Sequence, residues 1–131
     1  MSDESLEADL TCIYSNLNQC EGRTSFDVFH EWPTSSELET TLHESQIAAL
    51  RRMLTKKLAV VVGPPGTGKT YVTLKFLQIL LSGKLKRPLD QANVIDERKP
   101  ILIVCFTNHA LDQLLWGIHE QGNNHSLHVN V

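Results

Sequence analysis

The chain has 131 residues and a formal net charge of −3, enough length for one small domain with a core of its own. Cys12, Cys20 and Cys105 are odd in number and lack the paired spacing of a disulfide framework or a zinc cluster, so a reducing compartment, cytoplasmic or nuclear, is expected. The acidic start does not read as a secretory signal and no stretch reaches the roughly 18 apolar residues of a membrane span, so no membrane partner is expected.

The charge is unevenly divided. Residues 1–50 carry ten acidic side chains and only Arg23 as a base, a balance of −9, whereas residues 51–131 carry eleven basic and five acidic ones, a balance of +6. The second part is the one suited to a polyanion, although solvated surface accounts for most charges of this kind.

In chain order, Leu6, Leu10, Ile13 and Leu17 recur at spacings of four, three and four, which predicts a helix over about 3–18. Ser2 would cap it, with Asp3, Glu4 and Glu7 near its positive end. Turn formers fill 18–25, and 26–32 alternates like a short strand that stops at Pro33. The Ser/Thr/Glu-rich stretch 34–41 reads as a linker, so 1–40 is expected to be an acidic, helical lead-in and 41–131 the domain proper. A helix over about 44–54 follows, with Ile47, Leu50, Met53 and Leu54 on one side; Thr41 with Glu44, or His43, would start it. Gln46 lies in its first turn. That position is ordinary for an exposed glutamine, yet the amide pairs a donor with an acceptor in the arrangement that can read the N6 and N7 edge of adenine.

The strongest signal comes next. A β-branched run over 57–62 breaks into Gly63-Pro64-Pro65-Gly66-Thr67-Gly68-Lys69-Thr70 and then into an apolar-periodic segment over 71–81, the strand–loop–helix context of a phosphate-binding loop. Gly63, Gly66 and Gly68 allow backbone turns that point successive N–H groups inward, at the positive end of the following helix. Lys69 would set a cation on the β- and γ-phosphate oxygens, and the Thr70 hydroxyl would enter the shell of a magnesium ion between them. Pro64 and Pro65 have no N–H and would stiffen the entry. Gly63, Gly66, Thr67, Gly68, Lys69 and Thr70 are therefore the expected ligands of a nucleoside triphosphate such as ATP, with Mg2+ beside it.

Beyond the loop, 84–99 has no clean period. Pro100 leads into a continuous apolar run over 101–106, which reads as a strand covered on both faces of a parallel sheet. A helix over about 110–119 should face its core with Leu111, Leu114, Leu115 and Ile118, and 127–131 alternates like the start of another strand. No apolar strand ends in an acidic pair that would hold magnesium, so the sheet reads as unfinished, with an apolar edge. The expected fold class is α/β, part of a P-loop NTPase domain with a parallel sheet. His125 and His128 have no accompanying cysteine and are read as surface residues.

Three segments together resemble superfamily-1 helicases, in particular the branch of the nonsense-mediated-decay RNA helicases and the large NFX-type zinc-finger helicases. Leu42-His43-Glu44-Ser45-Gln46 is similar to that branch's Q motif, the loop from Gly63 to Thr70 to its Walker A motif, and Cys105-Phe106-Thr107-Asn108-His109-Ala110-Leu111-Asp112-Gln113-Leu114 to its motif Ia. The resemblance covers about 32–131 and implies the first part of a RecA-like domain. It implies that Gln46 contacts adenine, that Lys69 and Thr70 are the catalytic members of the loop, and that Thr107 and Asn108 touch the backbone of single-stranded RNA or DNA. Helix capping is the competing role for Thr107 and Asn108. It further implies a second RecA-like domain as partner, and the Asp-Glu magnesium motif of the family is not found in these residues. A helicase motor, RNA-directed in the first instance, is thus expected for the parent protein, with little activity in this stretch by itself. A nucleotide-dependent remodelling or switch ATPase without a nucleic-acid track, or a non-catalytic piece, are the alternatives.

Overall fold

The computed structural model describes residues 6–13, 25–32, 41–81 and 100–123. In chain order they form strand β1 (Glu7–Asp9), a 3-10 turn (Thr11–Ile13), strand β2 (Ser25–Asp27) and helices α1 (Glu44–Thr55), α2 (Lys69–Leu81) and α3 (Asn108–Asn123).

The lead-in is not the helix that its apolar spacing predicts. β1 and β2 pair antiparallel with Ala8 opposite Phe26, and Val28 N–H extends the pairing by donating to the Leu6 carbonyl at 2.9 Å. Leu6, Ala8 and Leu10 alternate into the core, and the 3-10 turn then delivers Ile13 to the same place. Two carboxylates explain the choice. Asp9 accepts the N–H and the hydroxyl of Thr11, a local bond that competes with helical pairing. Asp27 accepts the N–H groups of Leu6 at 3.2 Å and Phe29 at 3.1 Å, which fixes the end of the short sheet where β1 begins and β2 stops. Strand β2 is correspondingly shorter than the alternation over 26–32 suggests, because Glu31 N–H bonds back to the Asp27 carbonyl at 2.7 Å and bends the chain. Ser2, Leu17 and the linker over 34–40 lie outside the described residues.

The helices match the sequence period closely. α1 starts at His43 rather than Thr41: His43 N–H donates to Gln46 Oε1 at 2.9 Å, half of a capping box. Ile47, Leu50 and Leu54 line its buried side. They pack with Leu6, Ala8, Leu10, Ile13, Val28 and Leu42 and with Val72 and Ile79 of α2. The lead-in and the loop-bearing helix thus share one core. A second, smaller cluster joins Leu77 of α2 to Leu114 and Ile118 of α3, with Ile103 packed against it. Helix α2 is therefore buried on two sides, which accounts for apolar residues round most of its circumference. Gly117 lets α3 approach, since a Cβ there would stand 2.9 Å from the Leu74 methyl groups. Cys12 tucks its thiol under α2, donating to the Lys75 carbonyl at 3.9 Å. Burial raises that thiol to about 11, only partly opposed by the nearby Lys75 charge.

The expected parallel sheet is not formed among the described residues, whose one sheet is the antiparallel β1–β2 pair. Residues 59–62 and 101–106 belong to no strand. Val62, Leu102, Val104 and Phe106 are almost wholly exposed, whereas Ile103 turns towards the α2–α3 cluster. An apolar run becomes a strand only beside a hydrogen-bonding neighbour, and none of the described residues lies alongside as one. The helices cover Ile103 of the second run and leave its neighbours Leu102 and Val104 open to solvent.

Because the hairpin and both helices share a core, Leu10→Ala should lower the stability of α1 and α2 together, by about 2–5 kcal/mol. Guanidinium titration followed by far-UV circular dichroism checks this; a helical transition at the unaltered midpoint would show the lead-in to be an independent unit.

Candidate nucleotide-binding site

The turn over 63–68 is held by its own side chains. Lys69 Nζ donates to the Gly63 carbonyl at 2.6 Å and the Pro64 carbonyl at 2.8 Å, and the Thr67 hydroxyl donates to the Pro64 carbonyl at 2.8 Å. Pro64, which has no N–H to give, serves as acceptor. An ammonium has three N–H donors, so one remains for an anion while the other two brace the loop. The Lys69, Thr67 and Pro64 bonds therefore shape the loop without a ligand.

The glycines have different reasons to be there. Gly66 and Gly68 adopt φ of 79° and 80°, in the left-handed region that other residues enter at a cost. Gly63 lies elsewhere in φ and is needed for room: a Cβ would meet the Thr67 hydroxyl at 2.8 Å. Gly68 is constrained twice, because a Cβ there would also stand 2.6 Å from Gln46 Nε2.

Helix α2 opens directly on the loop. Its first intrahelical bond runs from Val72 N–H to the Gly68 carbonyl at 3.0 Å, which leaves the N–H groups of Lys69, Thr70 and Tyr71 without helical acceptors. No acidic side chain occupies the first turn. Free amides, the positive end of the helix dipole and the Lys69 cation thus converge where an anion would sit. Thr70 stands exposed in this turn, its hydroxyl available as an oxygen ligand for a hard cation.

Gln46 reaches the same place from α1. Its Nε2 donates to the Thr67 carbonyl at 2.9 Å while its Oε1 accepts from His43 N–H. An amide group offers two N–H donors and two lone pairs, so one of each is committed inside the protein and one of each is left. The two internal bonds hold the amide plane in one orientation beside the loop, and the remaining donor and acceptor are the pair that adenine N7 and N6 require. A further bond, missed by periodicity because it joins residues thirty apart, links Thr41 Oγ1 and Tyr71 Oη at 2.6 Å. Lys75 Nζ stands 5.3 Å from the centre of the Tyr71 ring.

Thr107 and Asn108 sit apart, at the start of α3. The Thr107 hydroxyl accepts Ala110 N–H at 3.2 Å and its carbonyl accepts Leu111 N–H at 3.2 Å, so Thr107 is the helix cap. As an acceptor it still has its own proton to donate. Asn108, His109 and the fully exposed Phe106 surround it on the chain. Gln113 Nε2 lies 3.1 Å from His109 Nε2, a contact within the helix that gives Gln113 a local partner.

A glycine loop braced by its own lysine at the open end of a helix, with a glutamine amide beside it, defines a P-loop nucleotide-binding domain. A family model described as AAA domain matches residues 41–130. The chain belongs to that family, in its Upf1-like superfamily-1 helicase branch. It is 52% identical over 91 residues, 70% of its length, to the mouse NFX1-type zinc finger-containing protein 1, of which these residues make up 4%. It is 44% identical over 84 residues, 64% of its length, to the fission yeast helicase required for RNAi-mediated heterochromatin assembly 1, covering 7% of that protein. With the fission yeast ATP-dependent helicase upf1 it shares 33% identity over 81 residues, 62% of the chain and 8% of the relative. The chain thus spans less than a tenth of the length of these relatives. No solved structure matches it. Among the described residues no helix is long and apolar enough to cross a membrane.

The two left-handed glycines separate backbone strain from crowding. Gly66→Ala meets open space and should cost only the left-handed penalty, about 1–2 kcal/mol. Gly68→Ala adds a collision with Gln46 and should lower the thermal midpoint further. Melting curves of the two variants, recorded side by side, test that ranking.

Proposed function

We propose that this chain binds ATP with magnesium and forms the first part of the RecA-like motor domain of a helicase that acts on single-stranded nucleic acid, RNA in the first instance. The observation that carries the proposal is the Lys69 ammonium, held on the Gly63 and Pro64 carbonyls with one donor still to give, at the mouth of unpaired α2 amides. Those groups suit a triphosphate tail, and Thr70 suits the magnesium that accompanies it. Membership of a family that includes ATP-dependent helicases supports the same reading.

In this reading the residues divide the work. Gly63, Gly66, Thr67 and Gly68 shape the cradle, Lys69 neutralises charge on the β- and γ-phosphates, and Gln46 orients adenine. Magnesium, when bound, would spread the charge of the terminal phosphate. Phosphoryl transfer depends mostly on positioning and charge neutralisation, and these are the tasks the loop performs. In this reading the carboxylate that completes the magnesium shell, the neighbouring strands that would pair with 59–62 and 101–106 in a parallel sheet, and a second RecA-like domain lie outside the described residues. Unwinding is accordingly an activity of the whole motor, in the cytoplasm or the nucleus.

Thr107 and Asn108 are the proposed nucleic-acid contacts. A capping hydroxyl with its proton free, an amide and the N–H groups of a helix start suit phosphate oxygens without reading sequence. The basic excess of residues 51–131 favours such a polyanion.

Two measurements test these assignments. Lys69→Ala removes a charge-assisted bond and should weaken ATP binding about 10- to 100-fold by calorimetry, with the far-UV spectrum unchanged. Undiminished affinity would end the P-loop reading. Photo-crosslinking of labelled single-stranded RNA in the full-length protein should mark the 107–112 peptide, and Thr107→Val with Asn108→Ala should reduce the yield. Stimulation of the ATPase by a protein partner alone, with no crosslink there, would favour a switch ATPase.

A further inference from the structure

Gln46 does not hold its place alone. The Thr41–Tyr71 bond of 2.6 Å ties the residue two positions ahead of the α1 cap to the first turn of α2. From Thr41 the chain passes through the buried Leu42 to His43, whose N–H anchors Gln46 Oε1. Gln46 Nε2 then reaches the Thr67 carbonyl, and the loop returns to Tyr71 through Gly68. The contacts close a ring: Tyr71, Thr41, His43, Gln46, Thr67 and back to Tyr71. Tyr71 Cβ and the Gln46 amide both come within 4.0 Å of the position a Gly68 Cβ would occupy, so the ring is tight around that glycine.

We propose that Tyr71 is a positioning residue for base discrimination: by holding Thr41 it sets the start of α1 and thereby the angle at which the Gln46 amide is presented to adenine. The proposal rests on the reading of Gln46 as the adenine contact. The reason lies in the order of the links. The Gln46 bonds to His43 and Thr67 fix the amide only if the two segments that carry those partners keep their spacing, and one segment leads α1 while the other leads α2. The Thr41–Tyr71 bond spans those two segments directly. Lys75 over the Tyr71 ring steadies the phenol from its own helix. The phosphates, by contrast, are gripped by the loop and Lys69, which the Tyr71 hydroxyl does not touch.

The test uses the full chain in calorimetric titrations with three probes: ATP, inosine triphosphate and inorganic tripolyphosphate. Inosine carries a carbonyl where adenine has its amine, so it cannot donate to Gln46 Oε1, and tripolyphosphate has no base at all. The wild-type chain should prefer ATP over inosine triphosphate by about tenfold. Tyr71→Phe, which keeps the ring, and Thr41→Val, which keeps the shape, should each reduce that preference about threefold or more, with tripolyphosphate affinity unchanged. The double variant should be no worse than either single one, as expected of two ends of one bond. An unaltered preference in both single variants overturns the proposal. So does a parallel loss of tripolyphosphate affinity, which would make the bond a support of the loop. A wild-type chain that binds tripolyphosphate but does not distinguish the two nucleotides would remove the Gln46 reading underneath it, and one that binds none of the three would remove the P-loop reading itself.

Discussion

The position of α2 is the constraint on which everything else depends. The helix is wedged between two apolar clusters, with Val72 and Ile79 facing the hairpin and α1 and Leu77 facing α3. Each fully buried side chain of this size contributes on the order of 1.5–3 kcal/mol, so sliding or rotating the helix would forfeit several such terms at once. Its first turn therefore stands still, and the loop that opens from that turn inherits the fixed position. An anion site made of backbone amides gains most when the amides need not move to meet the anion.

The loop itself has little burial to rely on. Its residues are exposed or half-exposed, and solvent competes with every bond they make. Its shape comes instead from backbone limits and from redundancy: two prolines at the entry, two glycines in the left-handed region, and three side-chain bonds from Lys69 and Thr67 to neighbouring carbonyls. Individually such bonds are worth about 0.5–1.5 kcal/mol, so it is their convergence on Gly63 and Pro64 that sets the conformation. Gln46 adds a side-chain bond from α1 to the loop's own backbone, and through it the start of α1 and the loop are mechanically connected.

The apolar runs over 59–62 and 101–106 present the opposite situation. In the second run Ile103 packs against the α2–α3 cluster, while Val60, Val62, Leu102, Val104 and Phe106 are exposed. Such edges associate readily with any available strand, which is a hazard for a chain handled alone and an opportunity for a neighbouring strand. The exposed Phe106 adjoins Thr107, the cap of α3.

The sequence by itself determined the features that depend on near neighbours along the chain. The glycines and prolines of 63–70 restrict their own backbone, and the three- and four-residue spacings of Ile47, Leu50 and Leu54 or of Leu111, Leu114 and Ile118 are local properties of a helix. Reading those same spacings in Leu6, Leu10 and Ile13 as a helix failed because an alternating strand followed by a tight turn buries the same residues. The decision between the two came from Asp9 and from Asp27, the latter across a long separation in sequence. Only the tertiary structure could decide that the lead-in shares the core of the loop-bearing helix, that Gln46 rests on Thr67, that Thr41 meets Tyr71 and that Gly117 accommodates Leu74. Each joins residues from twenty to more than sixty positions apart, and no periodicity in a linear chain encodes which distant side chain will stand opposite.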